Sequence, residues 1–108
     1  MDKKNDINKQ ILSTVLRYAK ILRKEKIPVA QMIVFGSQAH GNPKGYSDID
    51  VCVVSPSFGK DSIAERVLLT RLAEDVDWRI EPHPYHPADF AVEEDPFAAE
   101  IKRTGITI

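Results

Sequence analysis

Disulfide bonds within the chain are excluded, because its 108 residues include a single cysteine, Cys52. Cys52 lies in an apolar run, where we expect a small buried hydrophobic side chain and not a reactive thiol. Such sparing use of cysteine is typical of proteins from reducing compartments. We therefore expect a cytoplasmic protein.

Long apolar runs and an excess of positive charge are also missing. No stretch approaches the roughly 20 consecutive apolar residues of a membrane-spanning helix, and the polar N-terminus lacks the apolar core of a signal peptide. Lys and Arg number 15 against 16 Asp and Glu, for a net charge of −1. Domains held on nucleic acid by phosphate neutralisation usually carry a basic excess. We therefore expect no membrane association and find no strong nucleic-acid signal.

The spacing of apolar residues predicts a small mixed α/β fold. Helices are predicted from Ile7 up to Pro28, from Ser62, and from Pro96 up to Gly105. Strands are predicted at residues 32–35, 48–54, 76–81 and, at an edge, 106–108. Prolines at every second or third position predict that residues 82–87 are irregular. The order of elements predicts one domain, a mixed sheet with helices packed on it.

Asp48 and Asp50 are the first candidate site residues. They are two apart in a predicted strand, so both side chains leave the same face of the sheet. Neighbouring carboxylates repel unless a cation lies between them, and Mg²⁺ prefers carboxylate and phosphate oxygens. The alternative is a pair of exposed aspartates on a half-buried strand, which the short motif alone does not exclude.

Gly36 and Ser37 form the second candidate feature, at the end of the first predicted strand. Glycine permits close backbone approach, and the amides that follow Ser37 can point at an anion if a helix begins there. A phosphate cradle beside metal-binding carboxylates is what polyphosphate chemistry requires. Taken alone, Gly36-Ser37 is equally compatible with a plain turn.

Together these residues resemble the signature of the minimal nucleotidyltransferases of the DNA polymerase β superfamily. The signature is Gly36-Ser37, ten intervening residues, and Asp48-x-Asp50, and the flanking residues Ala39, Gly41 and Ser47 also agree. The resemblance covers essentially all of residues 1–108, and it implies a single minimal nucleotidyltransferase domain with the polymerase β-like fold. It also implies that Gly36 and Ser37 contact nucleotide phosphates and that Asp48 and Asp50 bind two Mg²⁺ ions.

The same resemblance implies a third carboxylate on a later strand, as a metal ligand and as a base towards the acceptor. The candidates are Glu81, Asp77 and Asp75. We favour Glu81 because it ends an apolar stretch. Asp77 is the second choice, since in a strand through both residues it would point to the same face as Glu81. Relatives more often carry aspartate there, and many carry basic residues in place of Gln38 and His40.

The implied activity is transfer of a nucleoside monophosphate, AMP from ATP or the equivalent from another nucleoside triphosphate, to a hydroxyl. Minimal nucleotidyltransferases of the antitoxin type act on a tyrosine of a helical HEPN-type partner in a toxin–antitoxin pair, so such a partner is implied here. The alternatives are a nucleotide- or partner-binding module with little activity, and a stand-alone antibiotic nucleotidyltransferase.

Two further features are less informative. His83 and His86, with Glu81 nearby, have a loose spacing for a zinc site, and the surrounding prolines favour a structural loop. An exposed sheet edge at residues 106–108 could pair with another copy of the chain in a homo-oligomer.

Overall fold

The computed structural model describes residues 7–40 and 48–108, so the predicted loop at residues 41–46 and Ser47 lie outside the described part. The helices are α1 (Lys9–Lys24), α2 (Ser62–Glu74), α3 (Pro87–Phe90) and α4 (Pro96–Thr104). The strands are β1 (Gln31–Phe35), β2 (Ile49–Val54), β3 (Ile80–Tyr85) and β4 (Ile106–Thr107), and a short 3-10 helix, Ser37–His40, follows β1. None of the helices in these ranges combines the length and apolarity needed to cross a membrane.

The four strands form one mixed sheet in the order β3-β2-β1-β4. β1 pairs antiparallel with β2 and with β4, whereas β2 pairs parallel with β3. The central strands β1 and β2 are covered on both faces, which explains their continuous apolar runs. The predicted mixed sheet with helices packed on it is confirmed, and β4 provides the predicted edge strand.

Alternate residues of the central strands face two separate hydrophobic cores. On one face, residues of the strands pack with α1 and α2; this core includes Val34, Val51, Val53, Val15, Leu22 and Leu69. On the other face they pack with α3 and α4; this core includes Ile33, Phe35, Cys52, Val54, Phe90 and Ile101. Burial raises the pKa of the Cys52 thiol to about 12, as expected for a packed and unreactive side chain.

Tyr18 joins α1 to α2 through a buried hydrogen bond. Its hydroxyl donates to the carbonyl oxygen of Leu69 at 2.8 Å, and burial raises the pKa of Tyr18. A buried donor is costly to leave unsatisfied, so this bond favours one placement of α2 relative to α1. The placement matters because α2 carries Arg66, which contacts the candidate site.

β3 shows that two predictions were wrong: the third strand does not span residues 76–81, and residues 82–85 are not irregular. The carbonyls of Arg79 and Tyr85 accept hydrogen bonds from the β2 side, from Ile49 N at 2.8 Å and Ser55 N at 2.9 Å. Odd-numbered residues of β3 therefore pair with β2. The backbone nitrogens of Pro82 and Pro84 therefore point away from β2, towards the free edge of the sheet, where a missing N–H breaks no hydrogen bond between strands.

An ion pair holds the turn that leads from α2 into β3. Asp77 Oδ2 lies 2.8 Å from Arg79 Nη2, and Asp77 Oδ1 accepts from the Arg79 backbone N–H at 2.9 Å. The hydrogen bonds from Arg79 hold the pKa of Asp77 below its usual range. The Asp77 carboxylate is therefore engaged in the turn that starts β3.

We expect Asp77→Asn to lower the free energy of unfolding by about 1 kcal/mol near neutral pH. Because the folded pKa of Asp77 lies below the unfolded one, its ionisation stabilises the fold above roughly pH 4. That stabilisation is lost as the pH falls through the folded pKa. Urea unfolding at about pH 7 and about pH 3 should show that the difference in free energy of unfolding between wild type and variant becomes smaller in acid.

The matched control is Asp75→Asn, at the exposed C-cap of α2. If Asp77→Asn lowered the free energy of unfolding by the same amount at both pH values, the assigned role of the ion pair would be contradicted.

Candidate active site

Gly36 turns the chain sharply at the end of β1, directly beside Asp50. Its φ of +77° lies in the left-handed region, and an added Cβ would sit 2.5 Å from Asp50 Oδ2. The contact follows from the pairing of β1 with β2, because Phe35 is the register partner of Asp50. Glycine is therefore required here both by its torsion angle and by the closeness of the carboxylate.

Asp50, Glu81 and His83 form what we call the Asp-Glu-His cluster, in which each residue offers a ligand atom within 4.8 Å of the others. Asp50 is the register partner of Glu81 in the parallel pair β2–β3, and His83 lies two residues further along β3. All three side chains therefore leave the same face of the sheet. His83 Nε2 lies 3.4 Å from Asp50 Oδ1.

The two predicted aspartates differ in their surroundings. Asp50 is in β2 and partly buried, whereas Asp48 is exposed and lies one residue before the strand. Asp48 does not belong to the Asp-Glu-His cluster. Ile49, between them, is fully buried on the opposite face of the sheet, as the alternation of strand side chains requires. A metal-binding role for Asp48 stays a prediction.

Of the three candidates for a third carboxylate, the structure brings only Glu81 into the cluster with Asp50. Asp77 is occupied by Arg79 in the turn before β3, and Asp75 is an exposed cap residue of α2. Glu81 carries an ion pair of its own: Arg66 Nη2 lies 2.9 Å from Glu81 Oε1. Arg66 therefore neutralises one of the two carboxylates of the cluster.

An aromatic wall supports the histidine. The His83 ring lies 5.1 Å from the ring of Phe35 and 5.5 Å from that of Phe97, measured between centroids, and Phe35 and Phe97 are 5.6 Å apart. Rings at these separations in tilted or edge-on arrangements attract each other. The wall orients the imidazole so that Nε2 faces Asp50.

The segment after Gly36 is shorter than a true helix. Ser37 begins a four-residue 3-10 helix and is exposed, and the Ala39 amide already donates to the Gly36 carbonyl at 3.2 Å. Such a turn has a much smaller dipole than an α-helix of several turns. Gln38 is buried, so its side chain does not face the solvent over the site.

The donor atoms of the cluster fit a divalent cation. Adjacent carboxylates repel and are stabilised by positive charge, and Mg²⁺ prefers such oxygen ligands. Gly36 leaves open the space beside Asp50 Oδ2 that any other side chain would fill. The imidazole of His83 also suits transition-metal ions. Asp50 and Glu81 could thus hold Mg²⁺, with His83 as a further ligand or as a hydrogen-bond partner of Asp50.

Three residues around the site were not predicted to belong to it: His83 was weighed as a zinc ligand and interpreted as part of a loop, and Arg66 and Phe97 were not considered. His83 has the same strand parity as Glu81, a signal that the neighbouring prolines obscured. Arg66 and Phe97 come from helices whose packing against β3 is a tertiary feature with no local signal. His86, weighed with His83 as a metal ligand, instead caps α3: its Nδ1 accepts from the Ala88 N–H at 3.0 Å.

Comparison with known proteins agrees with this geometry. The family model described as "Nucleotidyltransferase domain" matches residues 15–104, from the middle of α1 to the end of α4. No curated protein matches the chain. The matched segment covers well over half of the chain and includes both the Gly36 turn and the Asp-Glu-His cluster. This chain therefore belongs to the nucleotidyltransferase domain family.

Proposed function

We propose that this chain transfers a nucleoside monophosphate, AMP from ATP, to an acceptor hydroxyl and releases pyrophosphate. The observation that carries the proposal is the Asp-Glu-His cluster beside Gly36, in a member of the nucleotidyltransferase domain family. Nucleotidyl transfer needs a divalent cation next to a space for polyphosphate. The carboxylates and the open space beside Gly36 support both requirements at one end of the sheet.

In this proposal Asp48, Asp50 and Glu81 hold two Mg²⁺ ions, and the Gly36-Ser37 turn contacts the β- and γ-phosphates. The metal, when bound, supplies positive charge that offsets the charge of the phosphates. Glu81 accepts the proton of the acceptor hydroxyl. The hydroxyl oxygen bonds to the α-phosphorus while the bond from that phosphorus to the bridging oxygen breaks, and pyrophosphate leaves.

The finer parts of the proposal follow from the resemblance to minimal nucleotidyltransferases. The acceptor would be a tyrosine of a helical HEPN-type partner, in a cytoplasmic toxin–antitoxin pair in which this chain is the antitoxin. Residues 1–108 would act as one domain. The site itself supports the transfer step and a hydroxyl acceptor, and the choice of partner rests on the resemblance.

One contact favours a second function, binding of nucleotide or partner without turnover. Arg66 pairs with Glu81 at 2.9 Å and so occupies the carboxylate that would act as the base. Both side chains are about half exposed, at 48% and 41%, so a bound cation could displace the arginine. Activity therefore depends on whether metal replaces Arg66 at Glu81.

The first test is loss of transfer in Asp50→Asn. ATP labelled on the α-phosphate, Mg²⁺ and a lysate of the source organism should yield a labelled protein with wild type. Removing a ligand charge should reduce the labelling at least about 100-fold. Asp75→Asn, an exposed carboxylate outside the cluster, should label like wild type. Equal labelling by Asp50→Asn would refute the metal role, and binding of ATP without labelling would favour the second function.

The second test concerns the Gly36 turn. Alanine at this position meets both an unfavourable φ and the Asp50 carboxylate, so Gly36→Ala should cost about 1–3 kcal/mol of stability and weaken binding of Mn²⁺, a probe for the metal site. Gly59→Ala is the control, since Gly59 also has a positive φ of +102° but lies against His86, away from the cluster. It should lose stability yet keep wild-type Mn²⁺ affinity in calorimetric titration. Equal loss of Mn²⁺ affinity in both variants would show that strain alone is responsible.

The third test concerns Arg66. Because the Arg66–Glu81 pair competes with a cation, Arg66→Gln should raise Mn²⁺ affinity in the absence of nucleotide. An exposed pair is worth up to about 1 kcal/mol, which corresponds to an increase of up to about fivefold. Arg71→Gln, on the same helix, removes the same charge without touching Glu81 and serves as the control. If both variants bind Mn²⁺ like wild type, Arg66 does not compete with the metal.

A further inference from the structure

A groove of about 340 Å³ runs along the outer side of α1. We call it the α1 groove; its lining residues are Lys9, Leu12, Ser13, Leu16, Arg17 and Lys20. They recur at intervals of three and four residues, so they form one stripe of the helix. The inner side of α1 packs on the sheet in the core that contains Val51 and Val53. Because the Asp-Glu-His cluster leaves the opposite face of the sheet, the α1 groove is separate from the candidate active site.

Positive charge is concentrated on α1. The helix has five Lys and Arg residues and no Asp or Glu, whereas the rest of the chain holds the other 10 basic residues and all 16 acidic ones. The net charge of −1 is therefore the balance of a strongly basic helix and an acidic remainder. A balance taken over the whole composition does not reveal a local concentration of this kind.

Neighbouring carboxylates do not neutralise the cations of the groove. Among the described residues, no carboxylate lines the groove, and none of Lys9, Arg17 and Lys20 takes part in an ion pair. The pKa of Asp77 is lowered chiefly by its hydrogen bond from Arg79 and to a smaller extent by the charge of Arg17. That carboxylate is already held by Arg79 at 2.8 Å. An anion in the groove would therefore not have to break an existing ion pair.

The start of α1 adds to the positive potential. Lys9 is the first residue of the helix, and the first turn contains no acidic residue. The first turn lies at the positive end of the helix dipole, where acidic side chains stabilise a helix and a lysine does not. This arrangement of charge does not favour the stability of α1 itself, and a bound anion would remove the conflict.

Apolar surface lies between and beside these charges. Leu16, which lines the groove, is 50% exposed, and Trp78, the single tryptophan of the chain, is 74% exposed. Because the charge of Arg17 acts on Asp77, the neighbour of Trp78, the turn that carries the indole lies near the groove. A basic groove beside an exposed aromatic ring, on which a base can stack, is typical of surfaces that bind single-stranded nucleic acid.

We propose that the α1 groove binds the phosphate backbone of a single-stranded nucleic acid and that Trp78 stacks on one of its bases. Lys9 and Lys20 lie about 16 Å apart along the helix axis, which is enough for the phosphates of a few nucleotides. Lys9, Arg17 and Lys20 each contact a phosphate. The strand occupies the side of the protein opposite to the cluster, so this inference does not depend on the proposed nucleotidyl transfer.

Two other occupants agree less well with the observations. An anionic membrane would have to receive the apolar side of α1, but Val15 and Leu22 on that side are fully buried in the core. An acidic protein would meet a surface rich in lysine, a residue that is depleted in protein–protein interfaces. The observations therefore favour a nucleic acid.

Two double variants that remove the same charge from the same helix provide the test. Arg17→Gln/Lys20→Gln changes the groove, whereas Arg23→Gln/Lys24→Gln changes two exposed cations in the last turn of α1 that do not line it. Binding of the full chain to a fluorescent single strand of about 12 nucleotides, as RNA and as DNA, is measured by anisotropy from about 50 to about 200 mM salt. Polyglutamate of similar length and vesicles with anionic lipid are the comparison probes.

We expect wild type to bind the single strands with an affinity that falls as the salt concentration rises. Three phosphate contacts predict a slope of about −2 for the logarithm of the binding constant against that of the salt concentration. Arg17→Gln/Lys20→Gln should bring the slope to about −0.7 and weaken binding at least about tenfold. Arg23→Gln/Lys24→Gln should keep the slope and stay within about threefold of wild type.

The stacking contact has its own variant. Trp78→Leu should weaken binding at least about fivefold and leave the salt slope unchanged, because it removes a ring and no charge. An unchanged affinity would refute the stacking contact. The strand that wild type binds more tightly, RNA or DNA, identifies the natural ligand class.

Other outcomes would overturn the groove assignment. Equal weakening by the two double variants would show that overall charge is responsible and not the groove. Absence of binding of either strand at about 50 mM salt, or equally tight binding of polyglutamate or of the vesicles, would exclude a nucleic-acid site. Circular dichroism checks that each variant is folded, and the single variants Lys20→Gln and Lys24→Gln repeat the comparison if a double variant is not. Asp50→Asn should bind the strands like wild type, so this inference and the proposed function fail independently.

Discussion

The parallel pairing of β2 with β3 holds the candidate site together. Asp50 faces Glu81 because this pairing sets Ile49 beside Ile80, and both isoleucines are buried in the core under α1 and α2. A slip of one residue would turn one set of side chains to the wrong face and expose that core. Burial of apolar residues on one face therefore forces two mutually repelling carboxylates together on the other.

The prolines of β3 protect this arrangement from its open side. Pro82 and Pro84 face the free edge and offer no N–H there, so a further strand would find few donors to pair with. β3 thus stays at the edge of the sheet with β2 as its neighbour. That position leaves Glu81 and His83 beside α2, which carries Arg66.

Much of the fold could be predicted from local patterns, and the errors had a common physical cause. Helical periodicity identified α1, and the apolar runs identified β1 and β2, because burial of these elements determines which of their positions are apolar. The proline rule misled at β3 because it applies to ladder positions, and whether Pro82 meets a neighbour depends on the tertiary arrangement of strands. His83 was assigned to a loop for the same reason. Gly36, Asp50 and Glu81 do lie close together, and their roles in the site stay predictions. Asp48 is assigned to the site only from its sequence spacing to Asp50, because β2 begins one residue after it.

Arg66 links the Asp-Glu-His cluster to α2, and the link has a thermodynamic consequence. Without a metal, its guanidinium neutralises Glu81; a divalent cation at Asp50 and Glu81 would weaken that ion pair and release the guanidinium. An anionic group that binds Arg66 would in turn break the same ion pair and make Glu81 a better ligand for the metal. Because each ligand breaks the ion pair that opposes binding of the other, the two bind with positive coupling, and the coupling must be equal in both directions.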